Sequence, residues 1–135
     1  MASTVTRILS AAALFIGAVG VFVVTYFNPL TAGFFPVCPF YAMTGLACPG
    51  CGLTRGFHAL FHGDILGALD FNALIPAYFF IFAYLGISMF LISLRGRGLS
   101  FAAFKPRLVY GFLVIFFVFA VVRNLPIYPF TVLAP

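Results

Sequence analysis

The sequence predicts an all-α membrane protein, with three transmembrane helices, a Cys/Gly/Pro-rich extracytoplasmic loop and a short interfacial helix. Three observations carry this. First, 64% of the 135 residues are hydrophobic and 7% are charged, whereas a soluble globular domain carries about 25% charged residues. Second, the apolar residues gather into three long stretches almost free of charge. Third, all three cysteines fall between Cys38 and Arg55, in a segment too rich in glycine and proline for a lipid-facing helix. Residues 1–135 are therefore read as a single integral membrane domain, with spans near 8–27, 72–94 and 107–123 and the motif loop with its interfacial helix at 28–71.

The first span, Ile8 to Phe27, is a run of 20 uncharged residues, enough to cross a hydrocarbon core of about 30 Å. Its apolar stretch exceeds the hydrophobic region of a signal peptide and no small-x-small cleavage site follows, so it is expected to be retained. Ala13, Gly17 and Val21, with Gly20 on a neighbouring stripe, give a small-xxx-small pattern suited to close helix contact, although such residues are common in membrane helices anyway. Asn28-Pro29 ends the helix, and Pro36 and Pro39 are expected to keep the chain irregular up to the motif. After Cys51, Leu53, Phe57, Leu60 and Phe61 recur at helical spacing with polar residues between them, which predicts a short amphipathic helix at the interface. Gly63 breaks it and Asp64 can N-cap a further turn through Leu69. The second span follows from Asn72 to Leu94. The third runs from Leu108 to about Val122 and is short for a full crossing, so Arg123 is expected to snorkel and Asn124 to Tyr128 to lie near the headgroups.

Net charge is +5, but the bases are distributed as topology signals. Arg95, Arg97, Lys105 and Arg107 form one cluster, which reads as a cytoplasmic loop and, more sharply, as a site for anionic lipid headgroups. With Arg7 on the same side, five of the seven bases lie inside; the N-terminus is then cytoplasmic, and the cysteine loop and C-terminus extracytoplasmic. No nucleic-acid partner is expected. Two acids in the whole chain, with no nucleotide loop and no Ser-His-Asp order, argue against hydrolytic acid–base chemistry and leave enzymatic activity without a visible catalytic residue.

Four roles are open to the thiols. A disulfide from Cys38 to Cys48 or Cys51 would close a loop of about ten to fourteen residues and contribute about 3 kcal/mol. Cys38, Cys48 and Cys51 are also soft ligands, and His58 or His62, one helical turn further on the same face, could complete a Cys₃His zinc site. Cys48-Pro49-Gly50-Cys51 at a helix start would stabilise a thiolate for redox exchange, but the chain has no second cysteine pair for a relay. All three can otherwise be small buried hydrophobes. Ligation of a tetrapyrrole metal by His58 or His62 is a weaker alternative. Arg55, on an apolar helix, is expected to pair with Asp64, Asp70 or loop carbonyls.

The run C-P-F-Y-A-M-T-G-L-A-C-P-G-C-G-L-T-R, with His62-Gly63-Asp64, Ala68-Leu69 and Asn72-Ala73-Leu74, resembles a widespread bacterial family of small multi-helix membrane proteins of unknown function. The likeness covers about residues 36 to 75; Ala73 departs from the proline expected there in many members. It implies a bacterial inner-membrane protein with structural motif positions at Gly45, Pro49, Gly50, Gly52, Thr54, Arg55 and Asp64. Together these features predict a small accessory subunit of a larger membrane complex, in contact with lipid and other membrane subunits, with zinc binding or thiol redox at the cysteine loop as the alternative.

Overall fold

The computed structural model describes residues 2–100 and 105–125. Six helices occupy them: α1 (Thr4–Tyr26), α2 (Pro39–Thr44), α3 (Leu53–Phe61), α4 (Ile65–Phe71), α5 (Ile75–Arg95) and α6 (Pro106–Val122). The described residues contain no strand. Helices α1 and α5 are long and apolar enough to cross a membrane, and α6 is a shorter apolar helix. Only 6% of the apolar window of α1 or of α5 is buried within the protein, so nearly all of these residues are at least partly exposed. That exposure is compatible with acyl chains and unfavourable in water.

Local chemistry sets where the helices begin and end. Helix α1 starts earlier than the apolar run implies because the Ser3 hydroxyl accepts from the Thr6 N–H at 3.2 Å, capping a first turn that includes polar residues. Helix α5 starts at Ile75 rather than at Asn72 because Asn72 is extended, with φ −162°, and its Oδ1 accepts from the Leu74 N–H at 2.9 Å. The turn so formed separates α4 from α5. Asp64 caps α4 as its position suggests, with Oδ1 accepting from the Gly67 N–H at 2.9 Å. The stretch after Pro36 is more ordered than expected. Pro39 opens α2 at a position where its missing N–H is no loss, and Gly45 closes that helix in the left-handed region at φ +69°.

The helices contribute to two compact units, one of Met1–Val23 with Pro76–Lys105 and one of Val24–Ile75 with Pro106–Pro135. In the first, the start of α1 meets the end of α5. Arg7 donates from Nε to Ser93 O at 3.0 Å and from a terminal nitrogen to Leu94 O at 2.9 Å, while Ala2 N donates to Gly96 O at 2.8 Å. A cation thus satisfies the free carbonyls at the negative end of α5.

The second unit holds the cysteine segment on a small core of Ala59, Ala68 and Ile75, with Leu53, Phe57, Leu60 and Phe71 packed around it. Three of the four residues expected on the apolar face of α3 lie against this core, and Phe61 remains exposed. Small residues permit the close packing: a Cβ on Gly56 would lie 2.6 Å from Ile75 Cδ1. Gly52 is more constrained, since it adopts φ +80° and a Cβ there would lie 2.5 Å from the Phe71 carbonyl oxygen. Gly45 also has positive φ, but open space surrounds it. Gly45→Ala should therefore lose only the left-handed backbone preference, about 1–2 kcal/mol, and Gly52→Ala about twice that or more because a backbone carbonyl must also move. Thermal unfolding of both variants in mild detergent checks this; equal losses would contradict the close approach at Gly52.

Candidate metal centre

Two successive tight turns shape the cysteine segment. Cys51 N donates to Cys48 O at 3.0 Å and Leu53 N to Gly50 O at 3.1 Å. The Cys48 N–H also points at the Cys51 sulfur, 3.2 Å away. Chain reversal at Pro49-Gly50 brings Cys48 Sγ to 3.0 Å from Cys51 Sγ, and Cys38, at the start of α2, reaches to 3.3 Å from Cys48 Sγ. All three thiols are free, and their sulfurs lie within 4.8 Å of one another. Among the motif positions, Gly50 would bring a Cβ no nearer than 3.8 Å to Cys48 Sγ, and Pro49 takes part through its carbonyl.

Asn72, Arg123 and Asn124 hold this backbone, and none of them stood out in the sequence as part of the site. Arg123, expected to snorkel, is 1% exposed. One terminal nitrogen donates to Cys48 O at 3.1 Å and Cys51 O at 2.7 Å, and the other to Phe71 O at 3.3 Å. Its guanidinium carbon also lies 5.6 Å from the centre of the Phe119 ring, a cation–π contact. The reason it turns inward is that the two cysteine turns leave carbonyl oxygens converging on one point, where a planar multidentate donor fits. Asn72, fully buried, donates to Pro49 O at 2.7 Å and Cys51 O at 3.2 Å. Asn124, expected near the headgroups, instead brackets Ala47, accepting from its N–H at 2.8 Å and donating to its carbonyl at 2.9 Å. Tyr128, placed with Asn124 in that expectation, lies outside the described residues.

The two histidines stand apart from the thiols. His58 Nδ1 lies 2.7 Å from Val24 O, and His58 is not among the residues whose ligand atoms cluster. His62 Nδ1 lies 2.8 Å from His58 O, and the two rings are 4.3 Å apart. Carbonyl oxygens only accept, so both Nδ1 atoms carry the proton. Arg55 does not pair as expected: Asp64 is engaged with the Gly67 N–H, Arg123 occupies the loop carbonyls, and the Arg55 side chain makes no hydrogen bond or ion pair with a described residue. Instead Arg55 and Thr54 line a cavity of about 250 Å³ that also touches Cys38 and Cys51.

The thiols differ in acidity, and in the opposite order to a helix-start thiolate at Cys51. The backbone N–H of Tyr41 and then the Cys48 thiol hold Cys38 down at about 7, whereas burial first, and then the neighbouring thiols, push Cys51 up to about 12. Cys51 sits one residue before Gly52, the cap of α3, and beneath the surface; Cys38 sits at the cap of α2. A depressed value means the thiolate appears at lower pH. In reduced, metal-free protein, iodoacetamide should therefore label Cys38 at a rate that climbs through about pH 7, with Cys51 unlabelled across the neutral range; peptide mass spectrometry showing Cys51 labelled first would contradict this. Arg123→Met should destabilise the protein by on the order of 3 kcal/mol. Cys48 O and Cys51 O keep one donor each, but three hydrogen bonds from a charged group are lost, and those are worth about 1.5–3 kcal/mol each before the relief of desolvating the cation. Arg123→Lys should recover less than half of that loss, because its three donors radiate from one nitrogen and cannot span oxygens that the guanidinium reaches from two. Chemical unfolding in detergent measures both, and full recovery by lysine would contradict the multidentate role.

No curated protein and no solved structure matches the chain. Residues 38–86, which contain the three thiols, α3, α4 and the first half of α5, match the model of a family described as a protein of unknown function (DUF2752).

Proposed function

We propose that the protein is a membrane-embedded metal-binding protein in which Cys38, Cys48 and Cys51 hold one zinc ion as thiolates. The observation that carries this is the convergence of three sulfurs within 4.8 Å on a backbone fixed by buried hydrogen bonds rather than left to a mobile loop. Zinc–sulfur bonds of about 2.3 Å set tetrahedral sulfurs about 3.8 Å apart, so small side-chain shifts from the present separations accommodate the ion. Three thiolates and a divalent cation leave one net negative charge. The Arg123 guanidinium, bonded to the carbonyls of Cys48 and Cys51, complements that charge, and the Cys48 N–H toward Cys51 Sγ supplies the hydrogen bond that thiolate ligands commonly receive.

In this proposal α1, α5 and α6 sit in a bacterial cytoplasmic membrane, with the N-terminus and the 95–107 basic cluster on the cytoplasmic side and the thiols outside. The contact of Arg7 with the end of α5 supports a shared side for Arg7, Arg95 and Arg97. Outside the cytoplasm, thiols tend toward disulfides, and Cys48 is near enough to either neighbour for one; a bound ion keeps all three reduced. An accessory-subunit role draws on exposed apolar helix faces, which lipid alone covers, so metal binding is the better-supported function.

Protein purified under reducing conditions in mild detergent should contain about one zinc per chain by elemental analysis. Cys48→Ser, which removes the central sulfur, should lose it at least tenfold more readily to a chelator. Metal-free protein that takes up no zinc on addition, or equal retention by the variant, would contradict the assignment.

A further inference from the structure

The chain supplies three strong ligands at this centre, and a tetrahedral ion needs four. The other histidines and acids of the sequence are His58, His62, Asp64 and Asp70. None joins the cluster: His58 and His62 face carbonyl oxygens through Nδ1, and Asp64 caps α4. A centre with three protein ligands keeps a position for an external one, the pattern of reactive rather than purely structural zinc.

The surroundings specify what that ligand is. The lining of the cavity of about 250 Å³ includes Cys38, Cys51, Thr54 and Arg55. Its remaining wall is mixed, with apolar Phe35 and Val37 beside Tyr41 and the Gly50 and Gly52 backbone. Arg55 is half-buried and its side chain makes no hydrogen bond or ion pair with a described residue, so its five donors are available to a ligand. Beside it, Thr54 offers a hydroxyl. A guanidinium next to a Lewis-acidic ion selects an oxyanion, which takes the metal with one oxygen and the guanidinium with the others.

We propose that the cavity lined by Cys38, Cys51 and Arg55 binds a small oxyanion of the phosphate type, with one oxygen in the fourth position on the metal and the rest on Arg55. This rests on the zinc assignment above. The same phosphate chemistry can come from free phosphate or from a lipid headgroup, whose chain could run along Phe35 and Val37.

The test uses the full-length protein loaded with cobalt(II) in place of zinc, whose thiolate charge-transfer and d–d bands report the ligand set. Inorganic phosphate is titrated into protein in neutral detergent, and in a second arm the protein is placed in phosphatidylcholine bilayers with or without phosphatidic acid. The expected result is a saturable change in the d–d bands with the charge-transfer band retained, and a midpoint at least tenfold higher in Arg55→Gln. A response to inorganic phosphate identifies a soluble source; a response to phosphatidic acid alone identifies the headgroup. Arg55→Lys, which keeps the charge, should fall between. A cobalt complex with normal thiolate bands that responds in neither arm, or responds equally in Arg55→Gln, overturns the oxyanion site while leaving the metal assignment intact. Absence of the thiolate bands overturns the metal assignment and, with it, this one.

Discussion

The buried guanidinium of Arg123 is the interaction on which the cysteine segment depends. It joins Cys48, Cys51 and Phe71, residues 52 to 75 positions away in sequence, through their carbonyl oxygens. Taking a cation out of water costs several kcal/mol, and the cost is offset here by charge-assisted hydrogen bonds to carbonyls that would otherwise be buried without enough donors. Asn72 and Asn124 extend the same arrangement to Pro49 and Ala47. The turn that presents the thiols is thus held by side chains from the residues just past α6 and from the α4–α5 turn.

A turn fixed in this way has chemical consequences. Pre-organised sulfurs lose less conformational freedom when they bind an ion, and that saving appears as affinity. The fixed backbone also differentiates the thiols: Cys51 lies buried under the turn, Cys38 stands at a helix start beside an N–H group, and Cys48 lies between them. Gly52 completes the geometry, because the chain leaves Cys51 against the Phe71 carbonyl with no room for a Cβ. Placing Arg55 in the following turn of α3 puts an available cation at the mouth of the same site.

Much of this was legible in the sequence where local chemistry decides it. The apolar runs of α1 and α5, the apolar face of α3, the cap at Asp64 and the concentration of thiols between Cys38 and Cys51 are all properties of neighbouring residues. The role of Arg123 was not, because an arginine at the end of an apolar helix ordinarily reaches outward to headgroups, and nothing within several residues of it announces distant carbonyls. Asn124 is hidden for the same reason, and Asn72 is visible only as part of the family motif, without its contacts to Pro49 and Cys51. Arg55 attracted attention as the cation needing a partner, yet the loop carbonyls expected to receive it are taken by Arg123. Helix α2 is not legible in the sequence because Pro39 reads as a breaker unless it is known to occupy the first helical position. A signal for Arg123 and Asn124 did exist: adjacent polar residues closing an otherwise apolar span are costly enough in lipid to imply a buried partner.

The central claim is that a clamped turn presents three cysteine sulfurs, and no fourth protein ligand, to one metal ion. X-ray absorption at the zinc edge of the loaded protein tests this most directly. The account predicts three sulfur neighbours at about 2.3 Å and one lighter oxygen or nitrogen neighbour at about 2.0 Å. Two or fewer sulfurs, or a first shell made only of light atoms, would contradict it.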